Sequence, residues 1–396
     1  MSPVTTSPLA FLDDEIAALK QQKVFRTLFV LEDAQGAWVT IRGKRVLELS
    51  ANNYLGLTGH PKLRRRALEA LERWGVGTGS VRPIAGTFTL HEELEKRLAA
   101  FKHTEATLVM QSGFAANLGV IPAITAEDDV IITDELNHAS IIDGCRLSKA
   151  TRAIFPHKDI DAARRLLETH QTARRKLVIT DGVFSMDGDI ADLPGLASAC
   201  EDYGAILMVD DAHASGVLGR NGRGTIDHFD LHGRVHIQVG TLSKAIGAMG
   251  GYIAGPQSLR DWLIHRGRPF LFSTSHPPSV VAACIAAIEV LETEPELLER
   301  LWNNTAYFKQ GLRALGFDTG VSETPITPVI VGDEAKTMAL SDGLFAESVF
   351  AQAIVYPTVP QGKARIRTMM SAVHSRDDLD FALRAFEKVG RSLGIV

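Results

Sequence analysis

Cysteine is scarce: Cys145, Cys200 and Cys284 are the only three in 396 residues. They are far apart, odd in number and flanked by small or apolar residues, which excludes a disulfide framework. No CxxC or Cys/His spacing offers a metal site, so the three are expected to be reduced and structural, as in a cytoplasmic protein. Apolar runs long enough to span a bilayer are missing too. The first twenty residues, MSPVTTSPLAFLDDEIAALK, place acidic side chains early and have no basic segment before an apolar core, so no signal peptide is expected. Excess positive charge is also lacking. Lys and Arg number 42 against 47 Asp and Glu, for a net charge of -5 and a pI near 6.2, which argues against a nucleic-acid or anionic-membrane surface. There is no internal repeat and no low-complexity tract. The one strongly glycine-rich stretch, Gly75-Val76-Gly77-Thr78-Gly79-Ser80, follows no strand and has the wrong spacing for a Rossmann dinucleotide fingerprint.

What is present is a soluble globular balance, 45% hydrophobic and 22% charged. From Ala106 to Ala254 short apolar strands alternate with helical segments. The predicted strands are Ala106 to Met110, Asp129 to Thr133, Ala153 to Phe155, Leu177 to Asp181, Ile206 to Asp210, His236 to Gly240 and Gly251 to Ala254. Continuous apolar strands separated by helices predict an α/β fold with a mostly parallel, seven-stranded, doubly wound sheet. Residues 1–50 read as an N-terminal helix, arm and hairpin, residues 51–290 as the large ligand-binding domain, and residues 291–396 as a smaller α+β domain. Such sheets bind ligands beyond the carboxyl ends of their strands, and the unusual polar residues of this chain lie there.

Lys244 stands out. It follows the apolar run Val235 to Val239 and sits among small residues in GTLSKAIGAMGG. Burial depresses a lysine's pKa towards a nucleophilic free amine, suited to a Schiff base with an aldehyde. Taken alone it could equally be a surface lysine in a Gly-rich turn. Ser112-Gly113-Phe114, after the first sheet strand, opens a helix whose amides and dipole suit a phosphate, or is simply an ordinary N-capped helix. His138 lies at another strand end, where it could stack on a ring or simply enter a helix. Ser185, in a turn, could bond a cofactor oxygen or a carboxylate. Asp210, ending a buried strand, needs a partner, and a protonated pyridine nitrogen is one. His213, three residues on, could reach a phenolic oxygen on the same ring. A metal reading of Asp210, Asp211 and His213 lacks further ligands at suitable spacing. Acid and lysine are 34 residues apart, one βα unit. Phosphate seat, stacking ring, carboxylate and lysine together describe pyridoxal 5'-phosphate (PLP).

The stretches ANNYLGL at Ala51, LNHASIIDG at Leu136, TDGVFSMDGDIADL at Thr180, MVDDAHASGVLGRNGRG at Met208, GTLSKAIG at Gly240 and ARIRTMMSAVHS at Ala364 carry a resemblance over nearly the whole chain. The chain resembles the fold-type I PLP enzymes and, among them, the α-oxoamine synthase family. The resemblance implies that Lys244 forms the Schiff base, Asp210 pairs with the pyridine nitrogen, His213 with the ring oxygen, and His138 stacks on the ring. It implies that Ser112, Gly113, Phe114 and Thr241 seat the phosphate. Ser273 and Thr274 would reach it from the partner subunit of a homodimer. Arg367 would bind the amino-acid carboxylate as a bidentate fork, with Asn52 and Ser185 nearby. Without the resemblance, Arg367 would read as a surface strand arginine. The implied reaction is a Claisen-type condensation of an amino acid with an acyl-CoA. Lys244, once displaced, removes the Cα proton, and the carbanion attacks the thioester, whose oxygen His138 can hydrogen-bond. CoA leaves, and the product departs with or without loss of CO2.

Within the family, LNHASIIDG, Tyr356-Pro357-Thr358-Val359-Pro360 and ARIRTMMSAVHS resemble the glycine C-acetyltransferase branch, implying glycine and acetyl-CoA. SVRPIAGT at Ser80, and Ser243 where a glycine is expected, depart from that branch. L-Alanine with pimeloyl-CoA, as in the 8-amino-7-oxononanoate synthase branch, therefore stays open, as does a broad acyl range. Some family members are non-catalytic partner subunits without the lysine; Lys244, Asp210 and His213 together argue against that reading.

Overall fold

The computed structural model describes residues 7–21, 24–25 and 27–396. The chain starts with an exposed helix, Phe11–Gln21, then an irregular arm. A hairpin follows, made of β1 (Trp38–Ile41) and β2 (Lys44–Glu48), turning at Arg42-Gly43, both with positive φ. The large sheet contains β3 (Ala106–Met110), β4 (Val130–Asp134), β5 (Thr151–Phe155), β6 (Lys176–Asp181), β7 (Ile206–Asp210), β8 (Ile237–Thr241) and β9 (Gly251–Gly255). Their order is β3-β9-β8-β7-β6-β4-β5. The neighbours are parallel except β9, which runs antiparallel to both β3 and β8. The mostly parallel, seven-stranded sheet expected from the sequence is therefore present.

Continuous apolar strands follow from burial on both faces. Alternate residues of one strand enter different cores. Leu177, Ile179 and Met208 join Val120, Ile141 and Leu263 on one side of the sheet. Val178, Leu207 and Val209 join Leu167, Leu196 and Cys200 on the other. Each such apolar side chain contributes roughly 1.5–3 kcal/mol on full burial. The three cysteines are free and buried.

A third core spreads under much of the remaining chain, and a small fourth one of Val39, Ile41, Val46 and Phe350 lies at the hairpin. Helix Pro278–Thr293 packs on helices Pro61–Trp74 and Thr89–Lys102. Strands β10 (Ile326–Gly332), β11 (Val349–Phe350), β12 (Gln352–Ile354) and β13 (Ala364–Met369) complete the fold. β10, β13 and β12 form an antiparallel sheet, whereas β11 pairs in parallel with β2 of the N-terminal hairpin. The Trp38 indole donates to Asp378, which also belongs to the capping box opening helix Arg376–Ser392. The hairpin and the C-terminal segment thus share one sheet, a pairing that crosses the boundaries drawn at residues 50 and 291. Among the described residues no helix is long and apolar enough to cross a membrane.

Candidate active site

Parallel strands end on one edge of a sheet. Met110, Asp134, Asp181, Asp210 and Thr241 therefore finish together, and the loops after them converge. β8 delivers Lys244. The loop behind it is pinned by the Leu242 amide donating to the Gly250 carbonyl and the Gly247 amide donating to the Lys244 carbonyl, both at 2.9 Å. Gly247 has φ +74°, and a Cβ there would sit 2.6 Å from the Thr58 amide nitrogen. At this position, then, the run of small residues serves the turn itself and not only room for a ligand. The Lys244 amine is partly buried and makes no hydrogen bond among the described residues. Burial lowers its pKa to about 8. Arg367 adds to the lowering, while Asp210 and Asp181 oppose it.

Asp210 is buried. Its carboxylate accepts from the Asn117 side-chain amide at 2.7 Å and from the Ala212 amide at 2.9 Å. Its neighbour Asp211 has a different job. It is fully buried, paired with the Lys102 amine at 3.0 Å and further bonded by the Thr225 amide and hydroxyl. That pairing separates the two adjacent acids, because Asp211 already has its cation.

His213 is buried, and its Nδ1 meets the Tyr54 hydroxyl at 2.8 Å. Burial first, then the charges of Lys244 and Arg367, hold its pKa well below the usual range, so the imidazole is neutral. Tyr54 is pushed upward by burial and keeps its proton. When the tyrosine donates to Nδ1, the proton of His213 sits on Nε2, which is then a donor.

His138 takes the helix-entry role. It caps helix Ala139–Leu147, its Nδ1 accepting from the Ser140 amide, and its exposed ring meets Phe114 edge-on at 6.4 Å. Its amide donates to Asp181 at 2.8 Å. Asp181 lies beside Asp210 in the strand register. Burial, then the neighbouring Asp210 charge, raises its pKa well above the usual carboxylate range.

Ser112 caps helix Gly113–Ile124, its hydroxyl accepting from the Ala115 amide at 3.0 Å. The amides of Gly113 and Phe114 have no intrahelical partner. Thr241 comes close: a Cβ on Gly113 would lie 3.3 Å from the Thr241 Cβ. The Thr241 hydroxyl donates to the Gly250 carbonyl at 2.9 Å and lies 2.7 Å from the Ser243 hydroxyl. Ser273 and Thr274 are joined to the same corner within their own chain, their carbonyls accepting from the Gln111 side chain at 3.4 and 3.0 Å.

Arg367, on β13, is not the surface arginine its strand position alone implied. Its Nε donates to the Ser185 carbonyl at 2.6 Å, and its terminal nitrogens face Asn52 Oδ1 at 3.4 Å. Burial lowers its pKa, yet a guanidinium stays charged. Its terminal N–H groups, held only by long contacts to Asn52, remain available for a carboxylate.

The edge thus brings together Lys244, Asp210, His213, His138, Ser112, Thr241, Ser185, Asn52 and Arg367, while Ser273 and Thr274, expected from a second copy, meet Gln111 of their own chain. The donor set fits PLP: a lowered amine for an aldehyde, a buried carboxylate for a pyridinium, a neutral imidazole with a spare N–H, and free helix amides for a phosphate. Tyr54, Asn117 and Asp181 were missed. Tyr54 and Asp181 lie in the quoted motifs and Asn117 in the helix after Ser112; Asp181, ending an apolar strand as Asp210 does, carried the same signal.

The family model for class I and II aminotransferases matches residues 44–386. A protein of Symbiobacterium thermophilum named 8-amino-7-oxononanoate synthase is 59% identical over 98% of this chain and 99% of its own. 8-Amino-7-oxononanoate synthase 1 of Bacillus subtilis is 56% identical over 99% of this chain and 100% of its own. Among solved structures, a serine palmitoyltransferase carrying PLP superposes with a TM-score of 0.93 at 32% identity, over 98% of each chain. The 8-amino-7-oxononanoate synthase of Francisella tularensis gives a TM-score of 0.73 at 26% identity, over 88% of this chain and 98% of its own. The expected closeness to glycine C-acetyltransferases is not what these relatives support; they carry the name of the branch left open beside it.

Proposed function

Because the chain belongs to the class I and II aminotransferase family and, within it, to the PLP-dependent α-oxoamine synthases, we propose that it condenses L-alanine with pimeloyl-CoA, releasing CoA and CO2 and leaving 8-amino-7-oxononanoate. The observation that carries this reading is full-length similarity, at 59% identity, to a protein named for that product. The product's own carbon skeleton supplies the substrates. Carbons 1–7, with a carboxylate at one end and the ketone at the other, are a seven-carbon diacid acyl group. Carbons 8 and 9 are the Cα and methyl of alanine without its carboxyl. Glycine and acetyl-CoA cannot supply either half.

PLP, when bound, supplies an electron sink that stabilises a carbanion at the amino acid's Cα. Lys244 would hold the aldehyde and, as a free amine, would take the Cα proton; an amine with a pKa of about 8 is suited to that work near neutrality. Asp210, steadied by Asn117, would keep the pyridine nitrogen protonated. His213, beside Tyr54, would donate to the phenolic oxygen. His138 would cover the ring and could donate to the thioester carbonyl. The amides after Ser112, with Thr241, would hold the phosphate, and Ser273 and Thr274 of a second copy would complete that seat in a homodimer. Arg367, aided by Asn52 and Ser185, holds the alanine carboxylate as a fork.

CoA thiol release and CO2 trapping, with alanine or glycine against pimeloyl-CoA or acetyl-CoA, test this. Alanine with pimeloyl-CoA is expected to be fastest, with one CO2 per CoA. Glycine with acetyl-CoA fastest and no CO2 would overturn it.

A further inference from the structure

A cavity of about 360 Å³ opens beside Ser185, within the usual size range of small-ligand sites. Phe184, Met186, Val321 and Val359 give it an apolar wall, and Leu136, two residues before His138, borders it on the catalytic side. Five ionisable side chains line it: His157, Asp187, Asp189, Lys363 and Arg365. Four are already matched. Arg365 pairs with Asp187 at 2.5 Å. His157 pairs with Asp189 at 2.9 Å, and its pKa, raised to about 9 by the hydrogen bonds it donates to Asp134 and Asp189, which outweigh burial, keeps it cationic. Lys363 is the exception. It is exposed, and its amine has no hydrogen bond or ion pair among the described residues.

Strand periodicity explains the placement. Arg365 and Arg367 point to one face of β13 and grip the Ser185–Asp187 loop, Arg367 at the Ser185 carbonyl and Arg365 at the Met186 carbonyl. Lys363, two residues before Arg365, leads into that row from the turn just ahead of Ala364. It stands four residues from Arg367, at most roughly 13 Å along the backbone. One end of the row faces the amino-acid site, the other holds the spare cation, and an apolar wall lies between. An aliphatic chain running from the reacting carbonyl along that wall, with an anion at its far end, matches this arrangement in shape and charge.

We propose that this cavity is the acyl subsite and that Lys363 binds the terminal carboxylate of an ω-carboxyacyl thioester, selecting it over uncharged chains of equal length. This rests on the condensation reading given above. An exposed charge-assisted hydrogen bond is worth roughly tenfold in selectivity.

The test compares kcat/KM for pimeloyl-CoA and its ω-methyl ester, using the holoenzyme and L-alanine. The unaltered enzyme is expected to prefer the free carboxylate by roughly tenfold. Lys363→Ala should bring the ratio near one, mainly through KM; Lys363→Glu should invert it, and Lys363→Arg should retain most of it. An unchanged ratio in both Lys363→Ala and Lys363→Glu, or no preference in the unaltered enzyme, overturns the assignment. If neither thioester turns over, the condensation reading fails instead. Calorimetric binding of the same two thioesters to the same variants then still decides the subsite: weaker binding of the free acid alone in Lys363→Ala supports it, and equal affinities refute it.

Discussion

The Lys244 amine can be titrated before any turnover. An ordinary lysine, at 10.5, is neutral in about one molecule in a thousand at a pH of about 7.5. With its pKa lowered to about 8, Lys244 is neutral in about a quarter, a gain of roughly 200-fold in the form that attacks an aldehyde. Stripping the cofactor and following the yellow colour as PLP is added back reads this directly. For a cation with a lowered pKa, the neutral form accumulates as pH rises through the lowered value. The capture rate should therefore climb to a midpoint near 8, whereas a free lysine derivative under the same conditions should climb towards 10.5. Charge substitutions must then move the midpoint in opposite directions. Asp210 opposes the lowering, so Asp210→Asn should shift the midpoint down. Arg367 reinforces it, so Arg367→Gln should shift it up. A midpoint near 10.5, or both variants moving the same way, would refute the placement of these charges around the amine.

Other perturbations test the surrounding framework. Asp211→Ala strands the buried Lys102 cation and should cost about 3–5 kcal/mol in chemical denaturation, while Lys102→Met combined with Asp211→Leu should recover much of it. Tyr54→Phe removes the hydroxyl that sets the His213 tautomer and should weaken PLP retention by about 1–3 kcal/mol, read by equilibrium dialysis. Asn117→Ala should weaken retention through Asp210, and Asn117→Asp more severely, because it sets a second acid against the first. His157, raised from 6.5 to about 9 between Asp134 and Asp189, contributes its full stabilisation below pH 6.5 and loses it as pH rises through about 9. His157→Gln should flatten the fall in stability over that window; an unchanged slope would show that the two ion pairs do not act there.

The sheet was legible because its strands are buried on both faces and read as unbroken apolar runs. Alternation with helices then implied parallel pairing. The direction of β9 was not legible, since an antiparallel strand covered on both faces has the same composition as a parallel one. Nor was the pairing of β11 with β2, which joins residues some 300 positions apart in a ladder only two residues long. In the site, Lys244 and Asp210 announced themselves as charged groups at the ends of apolar strands. Asp181 gave the same signal but had no evident chemical partner. Tyr54 and Asn117 gave none, because their importance lies in what they touch.

By itself the sequence determined the class of chemistry and the edge of the sheet that performs it. Residue types and strand ends are local properties, and together they admit little besides PLP. Only the tertiary structure decided which of two adjacent acids is free to act. Asp210 and Asp211 differ by one position, and strand alternation turns them to opposite faces. One meets Asn117 at the open edge, and the other meets Lys102 in the core. It also decided that Arg367 lies against Ser185 and Asn52 and that the Lys363 amine has no partner among the described residues. A charge's role depends on the burial and countercharges around it, and those come from residues far away in the chain.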